Sequence, residues 1–232
     1  MADYREYKPG DGSQIPAQTE CRQCGICCEK GGPALHTQDL LLITDGFVPF
    51  KSIITIRRGE SVHDPVTDTI GPSKTELLKI SGSNGTWSCL FYDKGQKGCS
   101  IYAHRPLACR TLKCWDTGEI LKLSGRDLLS RLDLVGAETL LGKRLIEHEA
   151  LFPFPDLKAL VGSLSHISKK VLKKLERTVN NDLDHRAGSV DVFHLSVAQE
   201  LFYFGRPIFQ QLEHFGFAIR ETATGIKIKF KG

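Results

Sequence analysis

Two absences frame this 232-residue chain: no stretch approaches the roughly 18 consecutive apolar residues of a membrane span, and the last 118 residues contain no cysteine. The first argues against a spanning helix. The second confines any thiol chemistry to the first half. Residues 1–19 are polar, are broken by Pro9, Gly10, Gly12 and Pro16, and lack the apolar run of a signal peptide, so they read as a flexible arm. A soluble, cytoplasmic protein with no membrane partner is therefore expected. No Gly-rich phosphate loop, Ser-His-Asp order or paired-carboxylate arrangement stands out. Lysine and arginine are scattered rather than gathered into a stripe, so no nucleic acid is expected as a partner. Internal repeats and low-complexity segments are missing as well.

What is present is a globular composition, 41% hydrophobic and 25% charged, enough for a core that does not depend on covalent staples. Against it stand eight cysteines: 21, 24, 27, 28, 89, 99, 109 and 114. In a reducing compartment such a set favours metal ligation over disulfides. The formal net charge of +4 counts these thiols as neutral; with all eight ionised it would fall to −4, and two divalent ions would return it to 0. The mild basicity is thus weak evidence about partners.

The pattern predicts an α+β fold in three parts: the arm 1–19, a cysteine-cluster domain 20–118, and a mainly helical region 119–232 ending in a hairpin. In the first half, a short helix capped at Thr37 should follow the turn Gly31-Gly32-Pro33. Strands are expected at Ser52 to Arg57, Glu76 to Ile80 and Trp87 to Tyr92, the last two joined by the turn at 81–85. Residues 63–73 read as a loop, and Pro106 should open a short helix carrying Cys109, with Cys114 on it or just beyond it. In the second half, apolar spacing predicts helices from about Leu128 to Ile146, from Asp156 to about Leu183, from Val192 to Phe204 and from Pro207 to His214. Alternating runs around Ala223-Thr224-Gly225 predict the terminal hairpin.

The chemistry sits in Cys21-Arg22-Gln23-Cys24-Gly25-Ile26-Cys27-Cys28. Cys-x-x-Cys-x-x-Cys is the spacing by which one loop wraps three corners of an iron–sulfur cubane. Cys28 follows at once, and neighbours in an extended loop point to opposite sides, which suggests separate roles for Cys27 and Cys28 and two centres. Cys89, Cys99, Cys109 and Cys114 supply further ligands, so all eight cysteines are candidate metal ligands. Either zinc in closed thiolate sites or iron, including a [4Fe-4S] cluster, would use them, with the cubane spacing tilting the choice toward iron. His36 and His104 are the imidazoles nearest in sequence to the set.

This ordered set, with Gly31-Gly32, Asp39, Trp87-x-Cys89 and Gly98-Cys99-x-Ile101-Tyr102-x-x-Arg105-Pro106-x-x-Cys109-Arg110, resembles the CxxCxxCC or YkgJ-type cysteine cluster family over roughly residues 20–116. The resemblance implies a zinc- or iron-chelating domain. Relatives of that family include flagellin lysine methylases, so it also brings in, as an alternative, an iron–sulfur-dependent redox or methyl-transfer enzyme.

Overall fold

A computed structural model describes residues 18–83, 85–162 and 167–231. Most of the expected arm 1–19, and with it Asn84, Leu164 and His166, lies outside the described residues.

The cysteine half is built from short pieces: α1 (Ile26–Glu29), a 3-10 turn Thr37–Asp39 leading into α2 (Leu40–Thr44), then β1 (Ile53–Ile56), β2 (Ser61–Asp64), β3 (Thr69–Pro72), β4 (Leu77–Ile80), β5 (Tyr92–Asp93), β6 (Gly98–Cys99) and α3 (Leu107–Thr111). Strands pair as antiparallel ribbons, β1 with β4, β2 with β3 and β5 with β6. The β-branched run Ile53-Ile54-Thr55-Ile56 suits β1, with Ile53 opposite Ile80 and Ile56 opposite Leu77. The segment after Pro33 runs along the other edge of β4, through Leu35 N–H to Leu78 O (2.8 Å) and Ile80 N–H to Pro33 O (3.0 Å).

The second half contains α4 (Gly118–Leu123), α5 (Arg131–Val135), α6 (Leu140–Leu151), α7 (Leu157–Gly162), α8 (Lys169–Phe193), α9 (Val197–Phe204) and α10 (Ile208–Leu212), and ends in the hairpin β7 (Phe217–Thr222) and β8 (Gly225–Phe230). The α+β class and the helical second half are as the sequence predicts. Asn180 on α8 plugs the hairpin, its carbonyl accepting from Ile226 N–H (2.8 Å) and its amide donating to Ile226 O (3.0 Å). Any side chain at Gly225 would meet it, because a Cβ there lies 2.1 Å from Asn180 Oδ1.

Several elements depart from expectation. Residues 63–73 form most of the β2–β3 hairpin, closed by Asp64 accepting from Val66 N–H (2.8 Å); the hairpin is largely solvent-facing, so no apolar alternation marks it. The strand expected at Trp87 to Tyr92 reduces to a bridge between Cys89 and Gly82 and the start of β5, and β4 pairs with β1 instead. The helix predicted from Leu128 to Ile146 is broken at Gly136, whose φ of +81° ends α5, before Thr139 caps α6 by accepting from Gly142 N–H (2.9 Å). The helix expected to stop near Leu183 continues to Phe193 and absorbs Val192; α9 starts at a Ser196–Gln199 capping box.

Two apolar cores result. One joins α7, α8, α10 and the terminal hairpin around Leu175, Val179, Ile208, Leu212, Phe217 and Ile228. The other gathers Leu35, Ile43, Val48, Ile53, Leu78, Ile80 and Cys89, together with Leu129 and Phe202 from the second half. Between the halves runs a seam of buried charge. Arg57 donates to Glu149 through Nε (2.8 Å) and Nη2 (2.9 Å), and Arg131 bonds both Glu76 and Glu149. Glu60 accepts from Arg57 N–H (2.9 Å) and Arg206 (2.7 Å). Deeper still, Asp182 takes His148 Nε2 (2.7 Å) and Arg186 Nε (2.9 Å). Burial lowers the His148 imidazole to about 4, so it is neutral at pH 7 and its contact with Asp182 is a hydrogen bond to a carboxylate rather than an ion pair.

Candidate metal centre

The loop carrying Cys21 and Cys24 turns into α1 at Gly25, whose φ of +82° is left-handed. Glycine is required there on two counts: a side chain would be strained, and its Cβ would lie 1.9 Å from the Tyr92 hydroxyl, which packs over the turn. Cys27 and Cys28 then fall on the single turn of α1, with sulfurs 4.0 Å apart. This corrects the extended-loop argument for separating them: in a helix the two neighbours are turned by about 100°, and these two thiols stand side by side.

The remaining ligand candidates arrive from distant sequence. Cys28 O accepts from Cys89 N–H (2.8 Å), and Cys89 O accepts from Tyr92 N–H (2.9 Å), which starts β5. Tyr92 pairs with Cys99 across the β5–β6 ribbon. Cys109 comes in on α3, whose position is set by Asp39. That carboxylate is fully buried and accepts from its own turn at His36 N–H (2.9 Å) and from Leu107 N–H (2.7 Å), with Arg110 Nη2 at 4.0 Å. A motif residue with no readable role in the sequence is thus the clamp that seats a cysteine helix. Gly32 has a similar reason: a Cβ there would lie 2.3 Å from Ile80 O, so the chain leaving the thiol loop can lie against β4 only without a side chain.

Cys27, Cys28, Cys89, Cys99 and Cys109 form one electrostatic group. Burial first, then the charges of Cys27, Cys89 and Cys99, push the Cys28 thiol up to about 12. Cys109 is pushed to about 12 by burial and by the charges of Cys89, Cys28, Cys27 and Cys99. Cys89, itself buried, is raised chiefly by burial. Burial and neighbouring thiolates thus oppose the ionisation of Cys28, Cys89 and Cys109, as expected of groups that ionise fully only around a cation. Cys21, Cys24, Cys27 and Cys114 are exposed. Cys21 Sγ accepts from Gln23 N–H (3.4 Å), and Cys114 Sγ accepts from Gln18 Nε2 (3.6 Å), which brings Cys114 to the start of the thiol loop.

The two imidazoles are engaged elsewhere: His36 is buried against Asp39, and His104 lies flat on Phe47 with ring centroids 3.5 Å apart. Arg105 covers the Tyr102 ring at 3.7 Å. One participant escaped the sequence reading. Lys79, on β4, donates to Gly32 O, and burial lowers its ammonium while Cys89 and Cys109 oppose that shift. The available signal was a lone lysine in the apolar strand Leu77-Leu78-Lys79-Ile80.

The donor chemistry fits a thiophilic ion. Thiolates sharing a tetrahedral zinc at ~2.3 Å stand about 3.8 Å apart along an edge, close to the Cys27–Cys28 separation of 4.0 Å. Among the described residues no three His, Cys, Asp or Glu side chains are already grouped closely enough to hold an ion, so a full coordination shell requires the thiols to draw together. No described helix is long and apolar enough to cross a membrane.

Residues 20–126 match the model of the CxxCxxCC family, described as "Putative zinc- or iron-chelating domain". The family resemblance read from the cysteine spacing therefore holds for this segment. No curated protein and no solved structure matches the chain.

Proposed function

We propose that this CxxCxxCC-type domain chelates a mononuclear zinc or iron ion, with Cys27, Cys28, Cys89, Cys99 and Cys109 as the inner donor set and Cys21, Cys24 and Cys114 at its rim. What supports the reading is that Cys27, Cys28, Cys89, Cys99 and Cys109, carried by four pieces spread over about eighty residues of chain, lie near enough for neighbouring thiolates to oppose the ionisation of Cys28 and Cys109. When bound, the ion supplies the positive charge that lets neighbouring thiolates coexist.

The chain's own residues do the rest. α1 presents Cys27 and Cys28 as a pair, Tyr92 packs over their turn, and Asp39 seats the helix of Cys109. The side-by-side pair favours a single ion, since thiolates on different irons of a cubane point outward from separate corners. Binding displaces the protons that Cys28 and Cys109 hold at neutral pH, so apparent affinity falls as pH falls.

Metal and acid-labile sulfide analysis of protein purified without oxygen tests this. Stoichiometric zinc or iron without sulfide is expected, with a loss of about a hundredfold or more in affinity for both Cys27→Ser and Cys28→Ser. Absence of stoichiometric metal would sink the reading. Iron with matching sulfide would replace the single ion by a cluster.

A further inference from the structure

We propose that the outer face of the terminal hairpin, together with the first two turns of α8, is a docking surface for duplex DNA, held through its phosphate backbone without regard to sequence. The surface lies in the cysteine-free half and does not depend on the metal reading. Its residues are Lys169 and Lys173 on α8, Arg220 on β7, Lys227 and Lys229 on β8, and Lys231 just beyond, all exposed.

The hairpin has two distinct sides. Ile226 and Ile228 turn into the core at 5% and 6% exposure, which sends Lys227 and Lys229 to the opposite face. On that face Arg220 stands directly opposite Lys227 across the ribbon, and like charges so placed repel. The one acid of the hairpin, Glu221, is opposite Ile226 and belongs to the other side. Along β8 runs α8: Asn180 holds Ile226, and Glu176 accepts from Ile228 N–H (2.9 Å). Four residues back along a helix and two forward along a strand both cover about 6 to 7 Å. The same step therefore leads from Glu176 toward Lys173 and Lys169, and from Ile228 toward Lys229 and Lys231. Lys169 and Lys231 are 62 positions apart in sequence and end on one patch; the scatter of basic residues along the chain, which argued against nucleic acid, is undone by the fold. Among the described residues one salt bridge touches this set, Lys227 with Glu176 at 3.7 Å.

Six cations sharing one carboxylate suit a polyanion. A protein partner would dock on aromatic or aliphatic anchors, and lysine is depleted from such interfaces. A membrane surface would take up an apolar face, and the apolar face of this hairpin is already packed on α8. The outward positions of the hairpin carry no aromatic ring on which a single strand could stack. A two-stranded antiparallel ribbon is of a width that the major groove of B-DNA admits, and lysines beside it answer phosphates as point charges.

Fluorescence anisotropy of the full chain with two short labelled duplexes of unrelated sequence tests this. Both should bind equally, with log affinity falling linearly against log salt between about 50 and about 200 mM. The slope should be flatter by about 0.9 in Lys229→Gln and by about 1.8 in the double variant Lys173→Gln/Lys229→Gln, whose affinity at the lowest salt falls about tenfold or more. Lys51→Gln, at an exposed lysine of the cysteine half, should change neither affinity nor slope. An unchanged slope in the double variant, or an equal loss in Lys51→Gln, would overturn the proposal, as would a folded wild-type protein that binds no duplex at the lowest salt. Tighter binding to phosphatidylserine vesicles or to polyglutamate than to duplex, lost in the same double variant, would give the surface to a membrane or an acidic protein and overturn DNA as its occupant.

Discussion

The two halves of this molecule hold their shape by different means. Around the thiols, no helix exceeds six residues and no strand exceeds four, the turns rest on left-handed glycines, and the ligand candidates range from exposed to buried. Around α8, a 25-residue helix, a hairpin and a dense set of leucine, isoleucine and phenylalanine side chains close on one another, with an arginine–carboxylate network sealed alongside. One half packs short pieces on a small apolar core and carries thiols whose ionisation is opposed by burial and by one another. The other has already satisfied its buried charges. The contrast teaches that the charged groups around α8 are answered by other side chains of the chain, whereas the thiols of the first half oppose one another's ionisation.

The largest effect that should separate the halves comes from Asp182→Ala, which strands Arg186 and His148 without their shared carboxylate. A loss of about 4 kcal/mol is expected in urea unfolding at pH 7. Zinc affinity of protein that remains folded should be unchanged; a matching loss of metal would show that the halves do not behave separately.

Acid sharpens the same contrast. His148 is fully buried, and its folded value of about 4 lies below the ordinary 6.5. The unfolded chain therefore takes up a proton first as pH falls, and about 3 kcal/mol of stability is lost between pH 6.5 and 4. The thiols act in the opposite window. Cys28 and Cys109 are raised from 9.0 to about 12, so their contribution in the metal-free protein is complete below pH 9 and is lost as pH rises toward 12. Thermal melts of the metal-free protein across pH should show both flanks; a His148→Gln variant should lose much of the acid one. An unchanged acid flank in that variant would refute the assignment.

The smallest of these effects belongs to Asp39→Ala, which leaves the His36 and Leu107 N–H groups without their acceptor. It is expected to cost about 2 kcal/mol. Hydrogen exchange should quicken in α3 and not in α8, and uniform quickening would mean that Asp39 supports the whole chain rather than the seat of Cys109.

The sequence made the elements legible where side-chain chemistry repeats along the chain. The terminal hairpin, β1 and the proline-opened α3 each follow from local pattern, and the eight thiols announced metal chemistry by type and spacing. Other features depend on contacts between distant residues. The β2–β3 hairpin has no buried face to leave a periodic trace, and nothing near Trp87 tells that β4 will choose β1. The side-by-side placement of Cys27 and Cys28 depends on a left-handed Gly25 beneath Tyr92, a residue 67 positions away. Asp39 and Lys79 draw their meaning from partners on other elements.

The packing of Phe202 against Phe50, with ring centroids 5.0 Å apart, and of α9 along β1 bears on the order in which this protein comes into being. A chain made from its N-terminus completes all eight cysteines long before it reaches Phe202, a wall of the core beneath them. For that interval the nascent thiols stand over an unfinished floor, so a metal supplied early meets a loose ligand set and one supplied late meets a seated one. The order of synthesis, as well as the spacing of the thiols, therefore bears on when the floor beneath them closes.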